Sequence, residues 1–147
     1  MFVNMRYHPN SSSDDLLYLY SADSPLSQQW QSHPANPIVT EVSSARPAGK
    51  ILRLGDKLYR PSQNCAACYG RGLNLNQIIS WNSTTYQERT LGQYMPDGKA
   101  GLYGMHTFSM LGNAVLSDGV VRQPRRIPKP WQWINNKKSN GKLHRKK

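Results

Sequence analysis

The chain has only two cysteines, eight acidic residues and two phenylalanines among 147 residues, and it has no long apolar run. Each shortage closes off a class of protein. Two cysteines cannot staple a disulfide framework, and Cys65 and Cys68, spaced C-x-x-C, have no second C-x-x-C or spaced histidine pair to complete a zinc set. No βαβ pattern surrounds them, as a thioredoxin-like site requires, so both read as ordinary semi-buried thiols. No stretch approaches the roughly 18 apolar residues of a membrane span. Residues 1–10 also lack the basic start, apolar centre and small-residue cleavage site of a secretory signal. Localisation is therefore unknown from sequence, with the cytoplasm as the default.

Scarce acid leaves a net charge of +11, but the charge is not spread evenly. Residues 122–147 hold 10 of the 19 Lys and Arg and none of the Asp or Glu, whereas residues 1–121 carry nine basic and eight acidic side chains. The body is nearly neutral and the basicity belongs to an appendage, which argues against a folded domain built to track nucleic acid. The length suits one modest domain. We expect a domain over 1–121 and a basic Pro/Trp-containing tail over 122–147.

What is present is strand chemistry. Phe2–Tyr7 reads as a strand without a preceding cap, and further strands are expected near 16–20, 38–42, 49–54, 57–61, 72–81, 85–94, 104–110 and 113–121. Turn signals separate them, with a hairpin expected about Leu111-Gly112-Asn113 and a strong turn at Met95-Pro96-Asp97-Gly98. Pro25, Pro34 and Pro37 exclude a regular helix between β segments and leave an extended connector pinned by Trp30. The pattern is all-β, and local periodicity leaves sandwich, barrel and propeller open. Residues 46–94 are long enough for one four-stranded meander the size of a propeller blade.

Polar chemistry concentrates in Ala45–Gly72, ARPAGKILRLGDKLYRPSQNCAACYGRG. Apolar runs about the Gly55-Asp56 turn lead to Pro61, which is expected to halt strand pairing. Arg46, Arg60, Gln63, Asn64 and Tyr69 then supply forked donors, amides and an aromatic ring suited to a hydroxyl-rich ligand. The plainer alternative has the polar groups satisfying loop backbone and Tyr69 buried with one bonded hydroxyl. Glu88 is a candidate general acid if it faces a cleft; the preferred reading is a solvated strand carboxylate or an arginine's partner. Asp118 and Asp23 read as turn residues.

The tail, PRRIPKPWQW followed by a polar cationic run, is expected to be mostly disordered, with Trp131, Trp133 and Ile134 docking on the domain. Nucleic acid or acidic lipid could pair with it, but a solvated tail without a partner is the favoured reading.

The ordered words SADSP, HPANPI, RPAG, LYRPSQNC, YG and HTF, from Leu16 to Gly119, carry a family resemblance. The chain resembles the propeller domain at the N-terminus of glucosamine inositolphosphorylceramide transferases. That resemblance implies a partial five-bladed β-propeller of the arabinanase, levansucrase and invertase group, here about two blades of its C-terminal portion. It does not imply glycosyl transfer, which in those proteins is assigned to a separate C-terminal domain. Related hydrolases draw carboxylates from several blades, and Asn64 stands where the family usually has an acidic residue, so a proton shuttle is missing there. Some related propellers place a histidine near an axial metal or water cluster, which makes His106 a candidate ligand contact and the one metal candidate. No metal or cofactor is otherwise expected. The function expected is a carbohydrate-associated fragment that binds sugar or sugar-phosphate, or serves as a scaffold, without complete catalytic machinery. The alternatives are a glycosidase-like enzyme completed by missing blades or a second chain, and a polyanion binder acting through the tail.

Overall fold

The computed structural model describes residues 1–6 and 8–123. It is all-β: eleven strands in antiparallel sheets, with no helix and no closed barrel among the described residues. The tail expectations for 124–147 lie outside the described residues.

Strands β1 (Phe2–Asn4), β2 (Leu17–Ser21) and β3 (Gln31–Ser32) form the first sheet in the order β1-β2-β3. β2 alternates as a half-buried strand must, with Leu17 and Leu19 inward and Tyr18 and Tyr20 partly exposed. Burying each leucine contributes about 1.5–3 kcal/mol. The connector after β3 is held by Asn36, whose Oδ1 accepts from the Leu19 N–H and whose Nδ2 donates to the Leu19 carbonyl, both at 2.8 Å. A side-chain amide thus does a strand's pairing between Pro34 and Pro37. The strand expected at 38–42 shrinks to one bridge between Leu17 and Val39, because the chain turns at Glu41, whose carbonyl accepts from Ser44 and Ala45.

Strands β4 (Leu52–Leu54), β5 (Lys57–Asn64), β6 (Gly72–Trp81) and β7 (Tyr86–Tyr94) make the expected meander in the order β4-β5-β6-β7. Two boundaries differ from expectation. β4 starts later than residue 49 because Ala48 accepts instead from the Phe108 N–H at 2.8 Å, and a Cβ on Gly49 would lie 2.0 Å from the Phe108 carbonyl oxygen. Nor does Pro61 end its strand. It pairs with Leu75, and its carbonyl accepts from Ala48 on the other side, so its missing N–H falls away from the β5–β6 ladder.

Cross-strand partners define the two faces of the meander. One carries Leu58, Ile78 and Glu88 in register, then Arg60, Asn76 and Thr90, then Ser62 and Asn74. Its apolar end, with Tyr86, packs on Phe2, Leu19, Ile38 and Val39 as the main core. Its polar end is closed by hydrogen bonds: Asn76 Nδ2 donates to Ser62 Oγ and the Arg60 carbonyl, and Thr90 donates to Asn76 Oδ1. The opposite face presents Pro61, Leu73, Leu75 and Tyr94, which meet Met105, Phe108 and Val115 across an apolar cleft of about 350 Å³.

The segment after residue 100 was expected as one hairpin and is two short ladders joined at a corner. β8 (Leu102–Gly104) pairs with β11 (Val120–Val121), and β9 (Phe108–Leu111) pairs with β10 (Ala114–Ser117) about the Gly112-Asn113 turn. Residues 105–107 and 118–119 form the corner, and its geometry belongs to the site described next.

Candidate functional site

Six residues stood out in the sequence as ligand candidates, and the fold divides them. Arg46, Tyr69 and His106 come together on the surface. Arg60 lies on the buried polar face of the meander, while Gln63 and Asn64 are buried beneath the loop that carries Tyr69.

Tyr69 rides on the β5–β6 loop, with its ring about half exposed at 54%. The Arg46 guanidinium lies over that ring, 4.8 Å from its centroid, and the His106 imidazole stands 4.9 Å from it at a 33° tilt. Each flanking group is backed by a carboxylate. Arg46 Nη1 reaches Asp14 Oδ1 at 2.5 Å. Burial works against the guanidinium charge, but Asp14 and Tyr69 together outweigh it and hold Arg46 above its ordinary pKa.

Asp118 organises the corner. Its Oδ1 accepts from the backbone N–H of His106 and of Thr107, both at 2.8 Å, and from Thr107 Oγ1 at 3.1 Å, while Oδ2 meets His106 Nδ1 at 2.5 Å. Partial burial opposes the carboxylate charge, yet these bonds outweigh it and hold Asp118 well below the usual carboxylate range. The ring of His106 packs flush on Gly70, where a Cβ would lie 2.1 Å from the imidazole. Gly70 has φ +65°, and its carbonyl accepts from the Met105 N–H at 2.8 Å. Glycine is therefore required there twice, by backbone conformation and by contact.

Under this surface the polar side chains serve the chain itself. Gln63 Nε2 donates to the Pro47 carbonyl, and Asn64 Oδ1 accepts from the Ala66 N–H as an Asx turn that starts the loop. Cys65 is buried and Cys68 exposed, both as free thiols, and burial pushes the Cys65 thiol up.

Glu88 is an arginine's partner. Its Oε2 accepts from Arg60 Nε at 2.7 Å and from the Tyr86 hydroxyl at 2.6 Å, and its Oε1 accepts from Arg60 Nη2, which also donates to the Ser44 carbonyl. Burial and the neighbouring Glu88 charge push the Tyr86 phenol far above its ordinary value. Among the described residues no three His, Cys, Asp or Glu side chains gather as a metal site needs.

The surface cluster is thus an exposed aromatic ring between an arginine–carboxylate ion pair and a histidine–carboxylate hydrogen bond. It can stack on an apolar ring face, donate from Arg46 and accept at Asp14 and Asp118. Both acids escaped sequence reading: Asp14 lies in a polar loop, and Asp118 matched a turn. The signal for Asp118 was the nearby Thr107, whose hydroxyl and backbone supply two of its donors.

Comparison with known proteins bears on this chain directly. A family model described as glucosamine inositolphosphorylceramide transferase 1, N-terminal, matches residues 2–106. A protein named glucosamine inositolphosphorylceramide transferase 1 from Oryza sativa subsp. japonica is 32% identical over 87 residues, covering 58% of this chain and 12% of that protein. One of the same name from Oryza sativa subsp. indica is 32% identical over 96 residues, covering 64% of this chain and 13% of that protein. The chain therefore spans about an eighth of these relatives' length. No solved structure matches. The match spans β1 through the β8–β9 corner and takes in Asp14, Arg46, Tyr69 and His106, and on it the chain belongs to the glucosamine inositolphosphorylceramide transferase 1 N-terminal family.

Proposed function

We propose that the chain is a carbohydrate-associated binding or scaffold element, part of a β-propeller, and that the Arg46–Tyr69–His106 cluster holds a sugar or sugar-phosphate. The observation that carries this reading is the exposed Tyr69 ring with two carboxylate-bonded polar groups beside it. Sugars offer an apolar ring face for stacking and hydroxyls that both donate and accept, and the cluster offers the complement of each. The family's transferase name supports a carbohydrate context. Because Asp14 already neutralises Arg46 and the Asp118 carboxylate stands against His106, the neutral sugar is the better fit. A phosphate would have to compete with Asp14 for Arg46. In the propeller reading, the meander is one blade and the sheets on its two faces belong to neighbouring blades over 1–121, with 122–147 as a tail. The glycosidase alternative has less support, since the Glu88 carboxylate already accepts from Arg60 and Tyr86. The tail's polyanion alternative is tested by salt-dependent binding of a 122–147 peptide.

Calorimetric titration of the full chain with glucosamine, inositol and inositol phosphate tests the proposal. Saturable binding that weakens about tenfold in Tyr69→Ala, the scale of one lost aromatic stack, is the expected result. Binding unchanged in that variant would contradict it. Glycan hydrolysis by the full chain, lost in Glu88→Gln, would favour the enzymatic reading instead.

A further inference from the structure

We infer that the chain carries a second ligand site, an aromatic groove for an uncharged glycan at the opposite end of the meander from Tyr69. The two ends are well separated. β6 runs ten residues from beside the Tyr69 loop to Trp81, a span of roughly 30 Å at strand rise. At the far end Trp81 and the β6–β7 turn face β2, β3 and Trp30 across a groove of about 840 Å³. That volume lies within the range of small-molecule sites.

Both indoles are held in place. Trp30 Nε1 donates to the Ser27 carbonyl at 2.8 Å, which fixes its ring against the turn before β3. Trp81 packs edge-on against Phe2 at 5.3 Å between centroids and stays 45% exposed. His33 ties the two walls together, with Nε2 on the Asn82 carbonyl at 2.9 Å and Nδ1 accepting from the Ala35 N–H at 3.1 Å, bonds that the uncharged Nε2–H tautomer satisfies. Preset stacking surfaces of this kind cost little ordering entropy on binding.

The polar groups decide the ligand class. No side chain of fixed charge lines the groove, and the Met1 ammonium at its edge already donates to the Tyr20 carbonyl, so a phosphate or a carboxylate finds no free cation there. Its rim carries the side chains of Ser21, Gln31, Ser32 and Ser83, each able to donate and to accept. A glycan's hydroxyls use both capacities, while its ring faces match the indoles. A proline-rich peptide, which also stacks on tryptophan, offers carbonyl acceptors alone and leaves the rim's acceptors unused.

The test is calorimetric titration of the full chain with cello-, xylo-, manno- and malto-oligosaccharides, with polyproline as the peptide probe. Saturable binding of an oligosaccharide is expected, weakened about tenfold or more in Trp81→Ala and in Trp30→Ala. Because Trp81 also packs on Phe2, Gln31→Ala, an exposed rim change, is the check against misfolding and should weaken binding severalfold. The two tryptophan changes should weaken oligosaccharide binding by the same factor in a Tyr69→Ala background, which separates the groove from the cluster at the other end. The inference is overturned if no oligosaccharide binds, if polyproline binds in their place, or if oligosaccharide binding survives both tryptophan changes.

Discussion

Arg60 is 1% exposed, and its Nη1 has no hydrogen-bond partner, so its charge is stabilised by Glu88 and the Ser44 carbonyl. Removing one member of such a pair leaves an uncompensated buried charge. Glu88→Ala is therefore expected to cost about 3–5 kcal/mol in urea unfolding, while Arg60→Met with Glu88→Leu should recover most of that loss. A double variant as unstable as Glu88→Ala would show that packing, and not the stranded charge, sets the cost. Tyr86 gives a pH signature at the same place. Its folded pKa is raised, so its contribution to stability is complete below the ordinary value of 10.0 and is lost as pH rises beyond it. Absorbance titration should end in a step in which Tyr86 ionises only with alkaline unfolding. In Tyr86→Phe that last step should vanish.

At the scale of elements, the corner between β8 and β9 depends on Asp118 and on glycines that allow close approach. Asp118 has a depressed folded pKa, so its stabilisation is present above about 3.8 and is lost as pH falls further. Asp118→Asn should accordingly flatten the fall in stability below that pH; an acid limb identical to the parent's would contradict the role given to the corner. Gly104 faces the Gly70 carbonyl oxygen, 2.4 Å from where a Cβ would sit, whereas Gly92 has open space around it. Thermal unfolding should therefore place Gly104→Ala at least 1–3 kcal/mol below the parent, with Gly92→Ala within about 0.5 kcal/mol of it. The same contrasts explain what could be read from sequence. The meander was legible because its strands have length and periodicity and Gly55-Asp56 gives plain turn chemistry. Pro61 misled because a proline's effect depends on which side its nitrogen faces, and that is set by Ala48, thirteen residues earlier. The stack of Tyr69 on Arg46 and His106 joins residues from three distant segments, and no local pattern announces such a contact. His106 entered through family resemblance, and Asp118 was read only as a turn residue.

At the scale of the whole molecule, the described residues form four small antiparallel sheets with apolar side chains left exposed. Leu111 is 83% exposed and Leu116 74%, both on the β9–β10 hairpin, and the chain spans only 12–13% of its relatives. Exposed apolar residues on short open sheets favour association. Sedimentation of the full chain should show self-association that Leu111→Lys with Leu116→Lys reduces; a monodisperse parent monomer would argue against a partial propeller. The central claim concerns the Tyr69 cluster, and the most direct measurement is to map a bound sugar by backbone and side-chain NMR of the full chain during inositol and glucosamine titration. Saturable shifts centred on Arg46, Tyr69, Gly70 and His106 are predicted. Saturable binding that leaves those four resonances unmoved, or no binding at all, would contradict the claim.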